Sequence, residues 1–205
     1  MTERERTYQG SISVRDIVFS GLFVALIAVG AFIKIMIPLG FFQVTFSLQF
    51  FFALLAGFLL GPKLGFLSVT AYLILGLAGL PIFAHGGGFA YVMKPTFGFL
   101  IGFAAAAFVA GAVMKGLKKK GFPQLLAAAF AGEMSYYLCG LIYYYIMFNY
   151  VLTNGMTIGF RELIAVWFLS TVVPDFVLCV LAALMAKRML PIMQNMRTSA
   201  GDRRG

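Results

Sequence analysis

Six long apolar stretches, separated by proline, glycine or charged residues, constrain this chain more than any other feature of its sequence. Apolar segments of about 20 residues are typical of helices that cross a lipid bilayer. The sequence therefore predicts an all-α integral membrane protein with six transmembrane helices. The predicted helices cover about residues 14–37, 46–60, 63–80, 95–114, 123–149 and 162–186.

The composition leads to the same class of protein. Of the 205 residues, 61% are apolar and 11% are charged, whereas a soluble domain has about 45–50% apolar and about 25% charged residues. These values exclude a soluble globular enzyme and a disordered chain. We expect a membrane domain over residues 14–188, preceded by a cytoplasmic segment at 1–13 and followed by a cytoplasmic tail at 189–205.

The basic residues are distributed unevenly between the two sides of the predicted membrane domain. With the N-terminus in the cytoplasm, 13 of the 16 lysines and arginines face the cytoplasm, and only Lys34, Lys94 and Arg161 lie on the outer side. This bias follows the positive-inside rule and favours an even number of spans, with both termini cytoplasmic. The net charge of +9 therefore marks cytoplasmic loops and does not indicate nucleic-acid binding. The cluster Lys115–Lys120 fits such a loop, and anionic lipid binding is the alternative.

Several catalytic and metal-binding patterns are missing from the sequence. Gly111 and Gly116 have the spacing of an ATP-binding loop, but Leu117 occupies the position of its lysine. No nucleophile elbow of the form G-x-S-x-G occurs. The single histidine and the two cysteines, Cys139 and Cys179, lack the spacing of zinc ligands, and we interpret the cysteines as reduced packing residues. We expect neither a catalytic residue nor a metal site.

Two acidic residues fall inside predicted transmembrane helices, where charge is costly and usually functional. Asp175 follows Pro174, which removes a backbone donor and loosens the helix, so the pair is suited to a polar pocket. Asp175 could accept hydrogen bonds from ligand N–H groups, or form a structural ion pair with a neighbouring helix. Glu133 could contact a ligand, bind a partner helix, or extend towards the cytoplasmic interface.

The segment between Pro81 and Pro95 contains three consecutive glycines and cannot be a transmembrane helix. We predict an outer loop whose glycine backbone can approach a ligand and offer N–H donors. Its lysine could pair with a ligand carboxylate, although a flexible turn with a solvated lysine is the alternative. The candidate ligand-binding residues of this loop are His85, Gly86, Gly87, Gly88, Phe89, Tyr91 and Lys94.

One face of the fifth predicted helix combines aromatic residues with a glycine. Tyr137, Gly140 and Tyr144 lie at helical spacing. A bare patch at Gly140 between two aromatic rings would suit a flat ligand ring held by stacking and one hydroxyl group. Anchoring of the helix at the membrane interface is the alternative role for the individual tyrosines.

The first predicted helix carries small residues at Gly21, Ala25 and Ala28. This spacing lets another helix approach closely. The approaching helix could belong to this chain or to a separate membrane subunit, and the residues alone do not decide between them.

Three sequence blocks lie close together along the chain: Gly79–Phe83, Gly86–Gly88 and Pro95–Phe103. They resemble the signature of the BioY family, the biotin-specific substrate-binding (S) components of energy-coupling factor (ECF) transporters. The resemblance extends over about residues 15–186. The further matching segments are Thr45–Gln49, Ala53–Pro62, Tyr137-x-x-Gly140 and Pro174-Asp175.

The resemblance implies a six-helix S component that captures biotin with high affinity at the cytoplasmic membrane of a prokaryote. It implies no cofactor and no enzymatic activity. The expected partners are biotin, the bilayer, a transmembrane coupling protein and two cytoplasmic ATPases. By this resemblance the small-residue face of the first helix meets the coupling protein, and a loop at about residues 38–45 acts as a lid. Biotin would lie near the outer surface, among the loop after the third helix and the fourth to sixth helices.

The chain departs from the family pattern at two positions. Lys94 precedes Pro95 where many members have glycine, and Leu178 stands where many have lysine. We hypothesise that Lys94 supplies the missing cation to Asp175, because an unpaired buried acid is costly. An S component for another small vitamin is the nearest alternative function. A membrane-embedded enzyme that uses Glu133 and Asp175 as an acid pair is the remote one.

Overall fold

A computed structural model of the chain describes residues 13–39, 42–118, 121–152 and 157–202, and is mostly helical. Short 3₁₀-helical and π-helical turns occur at Phe89–Met93, Met147–Val151 and Ile164–Phe168. The β-strands are β1 (Lys34–Leu39) and β2 (Phe42–Ser47). The α-helices are α1 (Val14–Phe32), α2 (Gln49–Leu60), α3 (Pro62–Leu77), α4 (Phe97–Gly116), α5 (Phe122–Ile146), α6 (Phe160–Leu163) and α7 (Leu169–Asp202).

Four helical stretches of the described residues are long and apolar enough to cross a membrane. The two remaining apolar helices, α2 and α3, have 12 and 16 residues. Four of the six predicted spans therefore have membrane length in the described part of the chain. The total of six spans remains a prediction. The four stretches are Val14–Phe32, Phe97–Gly116, Phe122–Val151 and Leu169–Met193.

Local sequence signals explain where several helices begin. Ser13 and Asp16 form a capping box at the start of α1, in which the Ser13 N–H donates to Asp16 Oδ2 over 3.1 Å. Pro62 and Pro123 occupy the first turns of α3 and α5, where the missing N–H has no helical partner to lose.

The segment after α1 is a β-hairpin, although the sequence predicts helix as far as Ile37. Ile35 pairs with Phe46 and Met36 pairs with Thr45 in an antiparallel register. The local alternation of β-branched residues favours an extended strand over a helical turn. The helix predicted over residues 33–37 is therefore wrong, and the hairpin lies at the end of the bundle that also carries the loop at residues 78–96.

Helix α4 lies at the centre of the bundle, against α2, α3 and α5. Small residues let these helices approach closely: a Cβ atom added to Gly57 would lie 2.2 Å from the Ala107 carbonyl oxygen. A Cβ added to Gly102 would lie 2.7 Å from the Tyr136 carbonyl oxygen. Close van der Waals packing of this kind is what holds helices together in lipid.

The last helix is longer than the sequence predicts. The predicted end is Ala186, but α7 continues to Asp202. Leu190 and Met193 follow Ala186 on the same helical face, and all three are buried in the core. This buried face explains why the helix continues past the predicted boundary at residue 188.

Candidate functional site

A cavity of about 710 Å³, which includes its open mouth, lies where the hairpin, the loop at residues 78–96, α4, α5 and α7 meet. The lining residues are Thr45, Phe46, Ser47, Phe50, Ala84, His85, Tyr91, Thr96, Phe99, Leu100, Phe103, Tyr136, Trp167, Thr171 and Asp175.

The polar end of the cavity is formed by Asp175, which is only 5% exposed. Its Oδ2 atom lies 2.7 Å from the Tyr137 hydroxyl oxygen. That hydroxyl oxygen also lies 2.7 Å from Thr171 Oγ1, and Thr171 donates to the Trp167 carbonyl over 2.5 Å. Asp175 thus belongs to a continuous row of polar groups between α5 and α7, and its carboxyl group is accessible to a ligand donor.

Aromatic rings form most of the remaining wall. Tyr136 stacks on Phe50 and on Phe103, with ring centroids 5.0 and 5.3 Å apart. Phe99 lies 5.5 Å from Trp167 by the same measure. Such a wall suits a flat, mostly apolar ligand ring.

The Trp167 indole is a second polar group at this wall. Its N–H is buried and has no hydrogen-bond acceptor of good geometry among the described residues. The Tyr144 ring packs beside it, with centroids 4.9 Å apart. A buried indole N–H normally finds an acceptor, and the Tyr144 hydroxyl lies within reach of this one.

Two contacts connect the hairpin to the loop at the mouth of the cavity. Thr45 Oγ1 lies 3.1 Å from His85 Nε2, and the Lys34 ammonium donates to the Ala84 carbonyl. Partial burial lowers the pKa of His85, and the positive charges of Lys34 and Lys94 lower it further. The closed arrangement of hairpin and loop therefore favours neutral His85.

The structure places Lys94 at the rim of the cavity. Its ammonium donates to the His85 carbonyl over 3.4 Å and lies 4.3 Å from the centroid of the Tyr91 ring. Neither the lining of the cavity nor the contacts of Asp175 include Lys94. The hypothesis that Lys94 pairs directly with Asp175 is therefore not supported by this arrangement.

The three glycines of the loop shape a turn. Gly86 and Gly88 have φ values of 106° and 94°, which glycine adopts without strain. The Gly86 N–H donates to the Phe83 carbonyl and the Gly88 N–H to the Gly76 carbonyl, over 3.2 and 2.7 Å. These two N–H groups are therefore not free for a ligand, in contrast to the prediction from the sequence that they would be.

The adjacent residues of the loop have structural roles or face outwards. A Cβ atom added to Gly87 would lie 2.1 Å from the Leu80 carbonyl oxygen, so the turn leaves no space for a side chain there. Phe89 is 78% exposed. Of the loop residues predicted to bind ligand, His85 and Tyr91 line the cavity.

The patch predicted at Gly140 is filled by another residue of the chain. A Cβ atom added to Gly140 would lie 2.1 Å from Phe99 Cδ1. Phe99 therefore rests on Gly140 and presents its ring to the cavity. Tyr137 and Tyr144 are buried behind the wall, against Asp175 and Trp167 respectively.

Sequence reasoning missed most of the aromatic wall, because phenylalanine and tryptophan in apolar segments look the same whether they face lipid, core or cavity. It also missed Thr171, which precedes Asp175 by one helical turn. The four-residue spacing of Thr171 and Asp175, which places both on one helical face, could have identified Thr171. The missed wall residues are Phe50, Phe99, Phe103, Tyr136 and Trp167.

Glu133 lies deeper in the bundle and does not line the cavity. It is 0% exposed, which excludes one of its three possible roles, extension to the cytoplasmic interface. Cys179 donates its S–H to Glu133 Oε2 over 3.5 Å, and Oε1 has no hydrogen-bond partner in the described part of the chain. Cys139 and Cys179 are free thiols, as predicted.

The small residues of α1 divide between two environments. Gly21 and Ala25 are exposed, whereas Ala28 is half-buried and packs against the core. A Cβ added to Gly21 would meet no atom within 4 Å. The outer face at Gly21 and Ala25 is therefore open to a second protein or to lipid.

Comparison with known proteins gives one consistent result. A sequence profile described as the BioY family matches residues 2–195. The chain is 40% identical to a probable biotin transporter BioY from Lysinibacillus sphaericus, over 90% of this chain and 91% of that protein. It is also 40% identical to the biotin transporter BioY of Thermotoga maritima, over 86% of this chain and 96% of that protein.

The fold has a solved counterpart as well. The chain superimposes with a TM-score of 0.75 on the crystal structure of an S-component for biotin from an ECF-type ABC transporter. The likeness covers 92% of this chain and 94% of that one, at 27% sequence identity.

Proposed function

The chain belongs to the BioY family, and we infer that it is the substrate-binding subunit through which an ECF-type transporter takes up biotin. The observation that carries this inference is the likeness to the S-component for biotin over 92% of the chain. The protein is accordingly a membrane protein and a transporter component, not an enzyme. Glu133 and Asp175 are then not a catalytic acid pair.

The polar and apolar parts of biotin match the two kinds of surface in the cavity. The ureido N–H groups of biotin need an acceptor, and Asp175 supplies one at the polar end. The ureido oxygen needs a donor, and the Trp167 N–H is a candidate. The fused rings would lie against the wall that Phe99 and Tyr136 form together, where aromatic contact is favourable.

We propose that the carboxylate of biotin points towards the mouth of the cavity. Among the described residues, the lysines whose charges act on His85 at this mouth are Lys34 and Lys94, which donate to the Ala84 and His85 carbonyls respectively. A carboxylate at this point gains charge-assisted hydrogen bonds while its outer side remains hydrated. Lys94 thus serves the ligand, and not Asp175, as the second charge of the site.

The membrane arrangement and the partners are also part of the proposal. We propose six spans in the cytoplasmic membrane of a prokaryote, with both termini cytoplasmic, supported by the uneven distribution of lysine and arginine. The ECF context implies a transmembrane coupling protein and two cytoplasmic ATPases as partners. Biotin is the transported ligand, and we propose no cofactor.

Binding of biotin to the purified protein in detergent tests this function. Calorimetry should show saturable binding of biotin and none of thiamine or riboflavin. Asp175→Asn should weaken binding roughly 10-fold to 100-fold, because a hydrogen bond to a charged group contributes about 1.5–3 kcal/mol. Glu162→Gln is the matched control, since Glu162 is an exposed acid outside the cavity.

The role of Lys94 is tested with the same assay and a second ligand. The wild type should prefer biotin to its methyl ester, and Lys94→Ala should reduce that preference by removing the cation. Binding of riboflavin or thiamine in place of biotin by a folded sample would contradict the proposed function. An unchanged preference in Lys94→Ala would contradict only the role of that lysine.

A further inference from the structure

The row of polar groups between Asp175 and the Trp167 carbonyl contains three short oxygen–oxygen contacts, but its two hydroxyl groups supply only two hydrogens. Asp175 Oδ2, the Tyr137 hydroxyl, Thr171 Oγ1 and the Trp167 carbonyl are connected by three consecutive oxygen–oxygen contacts of 2.7, 2.7 and 2.5 Å. Each is within the range of an O–H···O hydrogen bond, and each such bond needs one hydrogen. Tyrosine and threonine supply one hydrogen each. The third hydrogen must come from elsewhere.

The direction of each bond identifies the source of the third hydrogen. A carbonyl can only accept, so the Thr171 hydrogen points to the Trp167 carbonyl. Thr171 Oγ1 must then accept the hydrogen of Tyr137. An ionised Asp175 would accept from Tyr137 across the remaining 2.7 Å contact, but the Tyr137 hydrogen is already used. That contact then needs a hydrogen on Asp175, and a carboxyl group donates only when it is protonated.

The opposite assignment leaves one contact without a hydrogen. If Asp175 is ionised, it takes the hydrogen of Tyr137 and Thr171 keeps its bond to the Trp167 carbonyl. The Tyr137 and Thr171 oxygens would then face each other at 2.7 Å with lone pairs only. Only a protonated carboxyl group satisfies all three distances at once.

The surroundings of Asp175 provide a second, independent argument. Glu133, with 0% exposure and an unpartnered oxygen, is the other acid in this part of the bundle. Among the described residues, no lysine or arginine forms an ion pair with either carboxyl group. Two buried acids without a cation are unfavourable as two negative charges. The titratable side chains that interact with Asp175 are Glu133, Tyr136, Tyr137 and Cys179. His85 and Tyr91 line the same cavity.

We propose that Asp175 carries a proton on Oδ2 in this arrangement and that biotin binding releases it. The proposal rests on the proposed function and concerns the same site. A ureido N–H of biotin approaches Asp175, the O–H bond of the carboxyl group breaks, and the proton leaves to water through the open mouth. The carboxylate accepts the N–H, in a charge-assisted bond stronger than a neutral one. No other atom or electron is transferred.

Calorimetric titration of the full-length protein with biotin tests the proposal. The titration is carried out at one pH near 6.5 in buffers with different ionisation enthalpies, and the apparent binding enthalpy is plotted against them. The slope should correspond to a release of about one proton for each biotin bound. The ordinary pKa of histidine lies near this pH, and His85 lines the cavity. The series is therefore repeated with His85→Gln, in which the release should persist.

Thr171→Val is the decisive variant. Without the Thr171 hydroxyl, Tyr137 can donate to Asp175, the carboxyl group no longer needs a proton, and proton release per biotin should fall towards zero. Thr70→Val is the matched control, because Thr70 also donates to the carbonyl one turn earlier, over 2.9 Å, but outside the cavity. Thr171→Ser restores the hydroxyl and should restore the release.

The outcomes separate this proposal from the proposed function. Biotin binding by the wild type with no dependence of the enthalpy on the buffer would overturn proton release and leave the function intact. Full proton release in Thr171→Val would overturn the hydrogen count as its cause. No binding of biotin by a folded sample would contradict the function itself.

Discussion

At the scale of single residues, the shape of the cavity depends on glycines as much as on the side chains that face the ligand. Gly140 allows Phe99 to lie flat against α5, and Phe99 in turn forms the wall next to Trp167. The polar end depends in the same way on residues behind it, since Asp175 is held by Tyr137. Neither Gly140 nor Tyr137 lines the cavity.

Gly140→Ala should destabilise the protein and weaken biotin binding together. The added Cβ atom would lie 2.1 Å from Phe99 Cδ1, and overpacking of this kind costs about 1–3 kcal/mol. Thermal unfolding in detergent measures the stability, and calorimetry measures the affinity.

Gly21→Ala is the control for that substitution, because the new Cβ would meet no atom within 4 Å. Alanine is the better helix former, so this variant should be about 0.5–1 kcal/mol more stable than the wild type. Equal stability of the two variants would show that Phe99 does not rest on Gly140.

At the scale of elements, the hairpin β1–β2 is attached to the loop at residues 78–96 by side chains. Thr45 contacts His85, and Lys34 donates to the Ala84 carbonyl. The family resemblance implies a lid at residues 38–45, most of whose side chains lie outside the described residues. The contacts of Lys34 and Thr45 are the described attachment points on either side of that segment.

Acid should loosen the attachment of the hairpin. The pKa of His85 in the closed arrangement is lowered, mainly by burial and further by Lys34 and Lys94. Neutral His85 therefore stabilises this arrangement above the ordinary histidine pKa of about 6.5, and the stabilisation is lost as the pH falls below that value. Hairpin amides should exchange with deuterium faster at about pH 5.5 than at about pH 7.5, after correction for intrinsic exchange rates.

His85→Gln provides the comparison for this measurement. Glutamine keeps a hydrogen-bonding side chain but does not titrate, so the corrected exchange of the hairpin should become independent of pH. Amides of α4 serve as an internal reference, because that helix lies at the centre of the bundle. An equal response to acid in the wild type and in His85→Gln would exclude His85 as the cause.

At the scale of the whole molecule, we propose that the coupling protein docks on the exposed face of α1. Gly21 and Ala25 are open on this face, and apolar side chains such as Ile17 and Leu22 surround them, 61% and 50% exposed. Small residues permit close helix approach in lipid. This supports our proposal that the coupling protein docks here.

Gly21→Leu combined with Ala25→Leu should prevent assembly with the coupling protein and leave biotin binding unchanged. The larger side chains would keep a partner helix at a distance, while both positions lie outside the cavity. Co-purification with the coupling protein and the ATPases measures assembly. Ala112→Leu on the exposed side of α4 is the matched control. Normal assembly of the double variant would show that the coupling protein does not dock on this face of α1.

The sequence alone was sufficient for the class of protein, the approximate positions of the long helices and the selection of Asp175, which lines the cavity. A long apolar stretch is unfavourable in water, so it indicates a transmembrane helix. An acid inside such a stretch is unfavourable in lipid, so it indicates a functional site. The BioY signature also lay within a short, continuous block, from Gly79 to Phe103. Features that depend on one segment at a time could therefore be predicted.

Only the tertiary structure decided which apolar residues face the cavity and which polar groups meet. Phe99 lies far along the chain from Trp167 and Thr171, and the roles of all three depend on how α4, α5 and α7 pack. The hairpin after α1 closes onto a loop 50 residues later along the chain. Apolar side chains gain similar free energy from lipid, core or cavity, so hydrophobicity cannot distinguish these environments. Helix packing makes that distinction.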